Sequence, residues 1–312
     1  MAGKIKKKRD WRALDAAHRR RGELITAVLC PDGAPFERPA YAQRTGRPRL
    51  YADAQIEAML LAKVALRLSL RAAEGLAYGL AKLAHVSWPV PDYTTLCRRE
   101  GKLAIDLRSR VEAGKRHVLI VDSTGLKVMG EGEWKVRIHG TGGGRRTWRK
   151  IHLLVDRETG HILAEKTTDK NTADCTVLPA LLPEDLAGDH VLGDGAYHTQ
   201  PLHRLVYARG GNYRTPPPRG ARVWKPYHWK SAERAFRWRN AELTRLARLG
   251  RTQWKIATGL SQRSFVESTM RRLKALTGAH LSARSIERQN VEVRLRCQLL
   301  NRLAVSTWTA PA

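Results

Sequence analysis

Carboxylates are in short supply in this chain: 29 Asp plus Glu stand against 57 Lys plus Arg, a formal net charge of +28 over 312 residues. So lopsided a balance excludes a basic partner and favours a polyanion, with nucleic acid ahead of an anionic membrane surface. Long apolar runs are missing too. None approaches the roughly 18 residues that a spanning helix needs, and the start MAGKIKKKRD has no apolar core of a secretory signal, so a cytoplasmic protein without a membrane partner is expected. The four cysteines, Cys30, Cys97, Cys175 and Cys297, lie far apart, with no C-x-x-C pair and no His at ligand spacing. Neither a disulfide framework nor a zinc site follows from them. A phosphate loop is also absent: GTGGGRR at 140–146 lacks the Lys-Ser/Thr of that motif and precedes no helical pattern, so it reads as a hairpin tip.

What is present falls into blocks. Residues 1–48 hold the basic cluster Lys4, Lys6, Lys7, Lys8 and Arg9 and then a Pro/Gly/Arg-rich passage with little to bury, an arm and linker. Residues 49–112 turn helical. DAQIEAMLLAKVALRL, with Asp53 as N-cap, and SLRAAEGLAYGLAKLAHV carry helical periodicity, and a third helix begins at PDYTTLCRRE, from which Arg98, Arg99 and Lys102 project. Three short helices, the last of them basic, suit a helix-turn-helix on DNA; a plain bundle with a solvated basic helix is the other reading.

After Lys115 the period changes. Val118–Val121 is a continuous apolar run, as in a strand covered on both faces, and it ends on Asp122. WRKIHLLVDRETGHILAEKTT alternates, turns at Glu158-Thr-Gly160 and returns, completing a three-stranded meander. A helix over ADCTVLPALL leads to DHVLGDGAYHT, a second apolar run stopped at Asp194, followed by the helix PLHRLVYARG and a last strand at NYRTPP. Residues 219–259 are a basic segment with Trp224, Trp229, Trp238 and Trp254, suited to stacking on an unpaired base or to packing in a core. His139, His152 and His198 fit structural or phosphate-contact roles better than that of a general base.

RSFVESTMRRLK at 263–274 sets Glu267 among bases on a late helix, with Arg263, Met270 and Lys274 along its side and Phe265, Val266, Thr269, Leu273 and Leu276 as a separate apolar stripe. Alone, Arg263 and Glu267 make an ordinary i,i+4 pair worth about 0.3 kcal/mol. Asp122 and Asp194 supply a reason for more. Each ends an apolar run, where a carboxylate is costly unless it is paired or bound to a cation, and open α/β sheets carry their sites at strand ends. Each acid alone also suits a turn. With Glu267 as third donor, the set is what hard Mg²⁺ takes alongside substrate phosphates.

These residues resemble the DDE transposases of bacterial insertion sequences, of the IS4/IS5 class, from about Gly46 to Trp308. The signature Tyr-x2-Arg-x3-Glu-x6-Lys reads Leu260-x2-Arg263-x3-Glu267-x6-Lys274, with Leu where Tyr is usual. The second-Asp motif is met by Asp194-Gly-Ala-Tyr197 and the first Asp by Asp122. The resemblance implies an RNase H-like fold over 113–218 and 260–308: a mixed five-stranded sheet flanked by helices, preceded by the small helix-turn-helix-like domain and interrupted by 219–259. It also implies that Asp122, Asp194 and Glu267 are catalytic and hold two Mg²⁺ ions, with Mn²⁺ as a substitute, and that Arg263 and Lys274 contact DNA as Arg98, Arg99 and Lys102 do. The expected reaction is cutting at the terminal inverted repeats and joining of the 3′-OH ends to target DNA, by a homodimer or higher oligomer assembled on duplex DNA. A nuclease or resolvase of the same fold and a noncatalytic DNA-binding regulator are the alternatives.

Overall fold

A computed structural model of the chain describes residues 50–83, 85, 89–107, 115–128, 148–225 and 233–305. The basic arm at 1–48, the hairpin tip at 140–146, His139 and Trp229 lie outside the described residues. The chain divides into two compact units, Met1–Leu103 with Arg302–Ala312, and Ala104–Asn301.

The first unit contains α1 (Asp53–Ala65), α2 (Leu70–Leu83) and α3 (Tyr93–Glu100). Helix α1 is buried over most of its circumference, from Gln55 and Ile56 to Val64, so Lys63 has to be paired, and its Nζ meets Glu100 Oε1 of α3 at 2.9 Å. Asp92 caps α3: its carboxylate accepts from the Thr95 N–H at 2.7 Å. Asp53, expected as the N-cap of α1, is instead its first helical residue, and its carboxylate pairs with Arg99.

The second unit is built on a mixed sheet. Its strands are β1 (Val118–Val128), β2 (Trp148–Asp156), β3 (Ile162–Asp169), β4 (His190–Leu192), β5 (Asn212–Arg214) and the two-residue β6 (His280–Leu281). The order is β3-β2-β1-β4-β5, with β6 also on β1. β2 and β3 are antiparallel neighbours, while β4 and β6 run parallel to β1. The helices are α4 (Asp174–Leu181), α5 (Gln200–Ala208), α6 (Glu233–Ala257, broken at Gly250), α7 (Ser264–Thr277) and α8 (Ile286–Val305).

Alternation along β1 sorts its side chains. Leu119 and Val121 join Leu154, Val177 and Leu178 of α4, and Leu202 and Val206 of α5, in one core. Ile120, Asp122, Thr124 and Leu126 face the other way, toward α7 and α8. There Lys274 of α7 donates to Thr124, while on α8 Arg294 donates to Glu165 and Gln289 accepts from Arg149.

One edge of β1 has two successive neighbours. β4 pairs with Val118–Ile120 and β6 with Lys127–Val128, so among the described residues Val121–Leu126 has no strand beside it there. The strand itself does not stop at Asp122, as its apolar run suggests. β2 stays in register with it from Asp156 to Trp148 and keeps the backbone extended; only the apolar character and the pairing with β4 end near Asp122.

β6 is missing from the sequence reading because two residues carry no period. It is held by tertiary contacts from α8. The Glu292 carboxylate accepts from the N–H groups of Ser282 and Ala283, and Arg296 donates to the carbonyls of Gly278 and His280. Glu292 and Arg296 also pair with each other at 2.6 Å, with side chains only 3% and 4% exposed. Glu292→Ala would leave the buried Arg296 guanidinium without a counter-charge and the N–H groups of Ser282 and Ala283 without this acceptor, so urea unfolding should report a loss of about 3 kcal/mol. A loss near zero would mean that β6 is held by something else.

Candidate active site

Asp122 lies on the stretch of β1 between its pairing with β4 and its pairing with β6. Its Oδ1 accepts from the N–H of Ser123 at 2.8 Å and its Oδ2 from Arg263 Nη1 at 2.7 Å. Burial pushes the Asp122 carboxyl above the usual range; the Ser123 N–H and Arg263 pull it back, while the charges of Asp194 and Glu267 push it up again. The charges of both other acids thus reach Asp122, although among the described residues the three do not form a group with ligand atoms within 4.8 Å of one another.

Asp194 arrives from the neighbouring strand. β4 stops at Leu192 and Gly193 turns the chain where a side chain would be crowded: a Cβ there would lie 3.1 Å from Tyr197 Cβ and 3.3 Å from Thr215. Asp194 then caps the short 3₁₀ turn Gly195–Tyr197, its Oδ1 accepting from the N–H of Ala196 at 2.8 Å. Tyr197 is fully buried beneath it. Its hydroxyl is pushed far above the usual phenol range by burial first and then by the charges of Asp174, Asp122 and Asp194.

The third acid comes from α7. Gly259, with φ of 72°, opens a 3₁₀ turn over Leu260–Arg263 that runs into the helix. Leu260, at the position where the signature has Tyr, is buried. Val266, Thr269, Met270, Leu273 and Thr277 form the buried stripe of α7; Met270, expected beside Glu267, belongs to this core. Glu267 is left on the exposed side. Arg263 forks between the two acids, with Nη1 on Asp122 and Nη2 on Glu267 Oε1 at 2.9 Å. Lys274, further along, donates to Thr124 Oγ1 at 2.6 Å, and burial lowers its ammonium. Arg263 and Lys274 thus stand on the same side of β1 as Asp122.

Arg98, Arg99 and Lys102 belong to the first unit. Arg98 is exposed and reaches Thr95, whereas Arg99 is engaged by the Tyr51 carbonyl and by Asp53. Lys102 is exposed just beyond α3.

Sequence reasoning missed a polar group on the opposite face of β1. Asp174, at the start of α4, accepts from Ser123 Oγ at 3.1 Å and from Lys150 Nζ at 3.0 Å, with His152 Nδ1 at 3.6 Å. The only sequence signal was an acid in the first turn of a helix. Burial pushes the His152 imidazole below its usual range, with Asp174 pulling the other way, and His198 is pushed down to about 4 by burial and by Arg239.

A second cluster with ligand-type side chains lies at the far end of β1. One donor atom each from His117, Asp156 and Glu158 lies within 4.8 Å of the others, so the group could hold a metal ion. Its carboxylates, however, already organise the β2–β3 turn. Asp156 accepts from the Thr159 hydroxyl and N–H, the Glu158 N–H and His117, and Glu158 accepts from the N–H of Val118. Burial raises the Asp156 carboxyl, but these donors bring it below the usual range overall.

The tryptophans divide. Trp224 packs among His198, His203 and Phe236 at ring distances of 5.0–5.4 Å, with the Arg239 guanidinium 4.2 Å from its ring, and Trp254 is buried with its N–H on Glu242. Both are core. Trp238 is 36% exposed beside Arg214.

Two family models match, both described as Transposase DDE domain, one over residues 113–302 and the other over residues 19–131. The first spans more than half of the chain and takes in Asp122, Asp194 and Glu267. The chain belongs to the DDE transposases, metal-dependent enzymes that cut DNA and transfer strands.

Proposed function

We propose that this transposase moves an insertion sequence of the IS4/IS5 class, with Asp122, Asp194 and Glu267 as its catalytic metal ligands. The observation that carries this reading is the guanidinium of Arg263 lying between Asp122 and Glu267, with the charge of Asp194 acting on Asp122. A cation already sits between two of the three acids, so the donor set suits a hard divalent ion; Mg²⁺ is the natural choice and Mn²⁺ its substitute. Two such ions, when bound, would activate the attacking oxygen and neutralise the leaving 3′-oxygen.

The protein's own part is positional. β1 and the 3₁₀ turn after β4 hold Asp122 and Asp194 on rigid backbone, each anchored by a backbone N–H. Lys274 and Arg263 flank the acids and are suited to holding DNA phosphates beside them. The helical unit, with Arg98 and Lys102 exposed, is assigned to the terminal repeats, and α3 to a major groove. Element ends must reach one target together, so two or more protomers act on the DNA. No helix among the described residues is long and apolar enough to cross a membrane, in keeping with a cytoplasmic enzyme.

Asp122→Asn, Asp194→Asn and Glu267→Gln should each lower cleavage of an element-end duplex by roughly 100-fold or more while leaving the gel shift unchanged, because the acids serve chemistry and the basic surface serves affinity. Cutting at the wild-type rate by any one of them would remove that residue from the site.

Charge repulsion at +28 per chain should keep protomers apart until DNA lies between them. Light scattering should find a monomer or weak dimer without DNA and a paired complex with it. Binding should weaken roughly 10³-fold between about 50 and 200 mM salt if six or more phosphates are contacted. A salt-insensitive dimer in the absence of DNA would contradict this assembly.

A further inference from the structure

Arg263 spends its fork on the chain's own carboxylates. One Nη donates to Asp122 and the other to Glu267, across a part-buried site in which the Asp122 side chain is only 15% exposed. Resting on the assignment of these acids as metal ligands, we infer that Arg263 is the resident counter-cation of the Asp122–Glu267 pair and has to leave it before a divalent ion can bridge the same two carboxylates.

The physical case is one of competition for the same lone pairs. The Asp122 carboxylate is only 15% exposed and the Glu267 carboxylate 56%, so a cation between them lowers their repulsion chiefly at Asp122, and the planar guanidinium matches both at once. A divalent ion takes carboxylate oxygens directly, so it competes with the guanidinium for the lone pairs on Asp122 Oδ2 and Glu267 Oε1. The seven-residue reach from Arg263 to Met270 also matters: Arg263 is in the 3₁₀ turn ahead of α7, while the helix itself is pinned by its buried stripe, so the arginine can swing away without moving Glu267 off the helix. Phosphate is the other group that a guanidinium fork fits well. A DNA backbone entering beside Asp122 therefore offers Arg263 an alternative partner, and its departure would open the acids to metal. Loading of the ion is in this way tied to the presence of substrate, which limits a free transposase from acting without DNA.

Lys274 provides the contrast. It is on the same side of β1 but bonded to Thr124 rather than to an acid, so its removal takes away a nearby positive charge without unlocking the pair.

The test is Mn²⁺ alone, titrated into the DNA-free full chain and followed by electron paramagnetic resonance. Arg263→Gln should bind Mn²⁺ about tenfold more tightly than the wild type. Arg263→Lys, which keeps the charge but cannot fork, should fall between the two and serves should the glutamine variant fail to fold. Lys274→Met should change the affinity by less than about twofold, as expected for a screened neighbouring charge. No gain in either Arg263 variant, or an equal gain in Lys274→Met, would overturn the proposal while leaving the metal-ligand assignment standing. Adding Asp122→Asn to Arg263→Gln should abolish the gain; Mn²⁺ binding unchanged by that addition would overturn the ligand assignment, and the proposal with it.

Discussion

Two carboxylates cannot be held side by side in a partly buried site unless something positive lies between them, and the second unit of this protein is arranged around meeting that demand. Asp122 stands on β1, Glu267 on α7, and Arg263 links them. Burial and the repulsion of Glu267 and Asp194 raise the Asp122 carboxyl, and the guanidinium and the Ser123 N–H offset them. An exposed i,i+4 pair such as Arg263 with Glu267 is worth little on its own. Joined to a buried acid on another element, the same arginine becomes the tie between helix and sheet.

That tie needs α7 to be held in one position along β1, and α8 supplies the constraint. Glu292 and Arg296, buried and paired, satisfy the backbone groups on both sides of β6, which fastens the chain leaving α7 onto the far end of β1. Arg294 on Glu165, Gln289 between Arg149 and the Ala283 carbonyl, and Asn301 on both polar groups of Ile162 extend the same fastening across β2 and β3. Polar groups in such a position specify a single register, because any slip leaves buried donors and acceptors unpaired.

On the remaining flank, Trp224, His198, His203 and Phe236 pack the basic segment after β5 against α5 and the turn that carries Asp194. Burial keeps both histidines neutral, with His203 pushed down to about 3.

The sequence by itself determined a good deal: the helices of the first unit, the meander, the apolar runs before Asp122 and Asp194, and the separation of Glu267 from the apolar stripe of α7. Each of these is written in local periodicity, in capping residues or in an acid at the end of an apolar run, so neighbours along the chain suffice to read it. It did not contain β6, the continuation of β1 past Asp122, the burial of Met270, the packing of Trp224 on Phe236, or Asp174 behind Ser123. Two residues have no period, a strand can outlast its apolar run when its partner strand continues, and the side that a Met or Trp takes depends on what packs against it. Above all, Arg263 read as one half of a helix-surface pair, and only the folding of α7 onto β1 brought Asp122, 141 residues earlier in the chain, into reach of its other nitrogen. Long-range contacts of that kind decide which charges meet, because the energy of bringing like charges together depends on distance in space and not on separation in sequence.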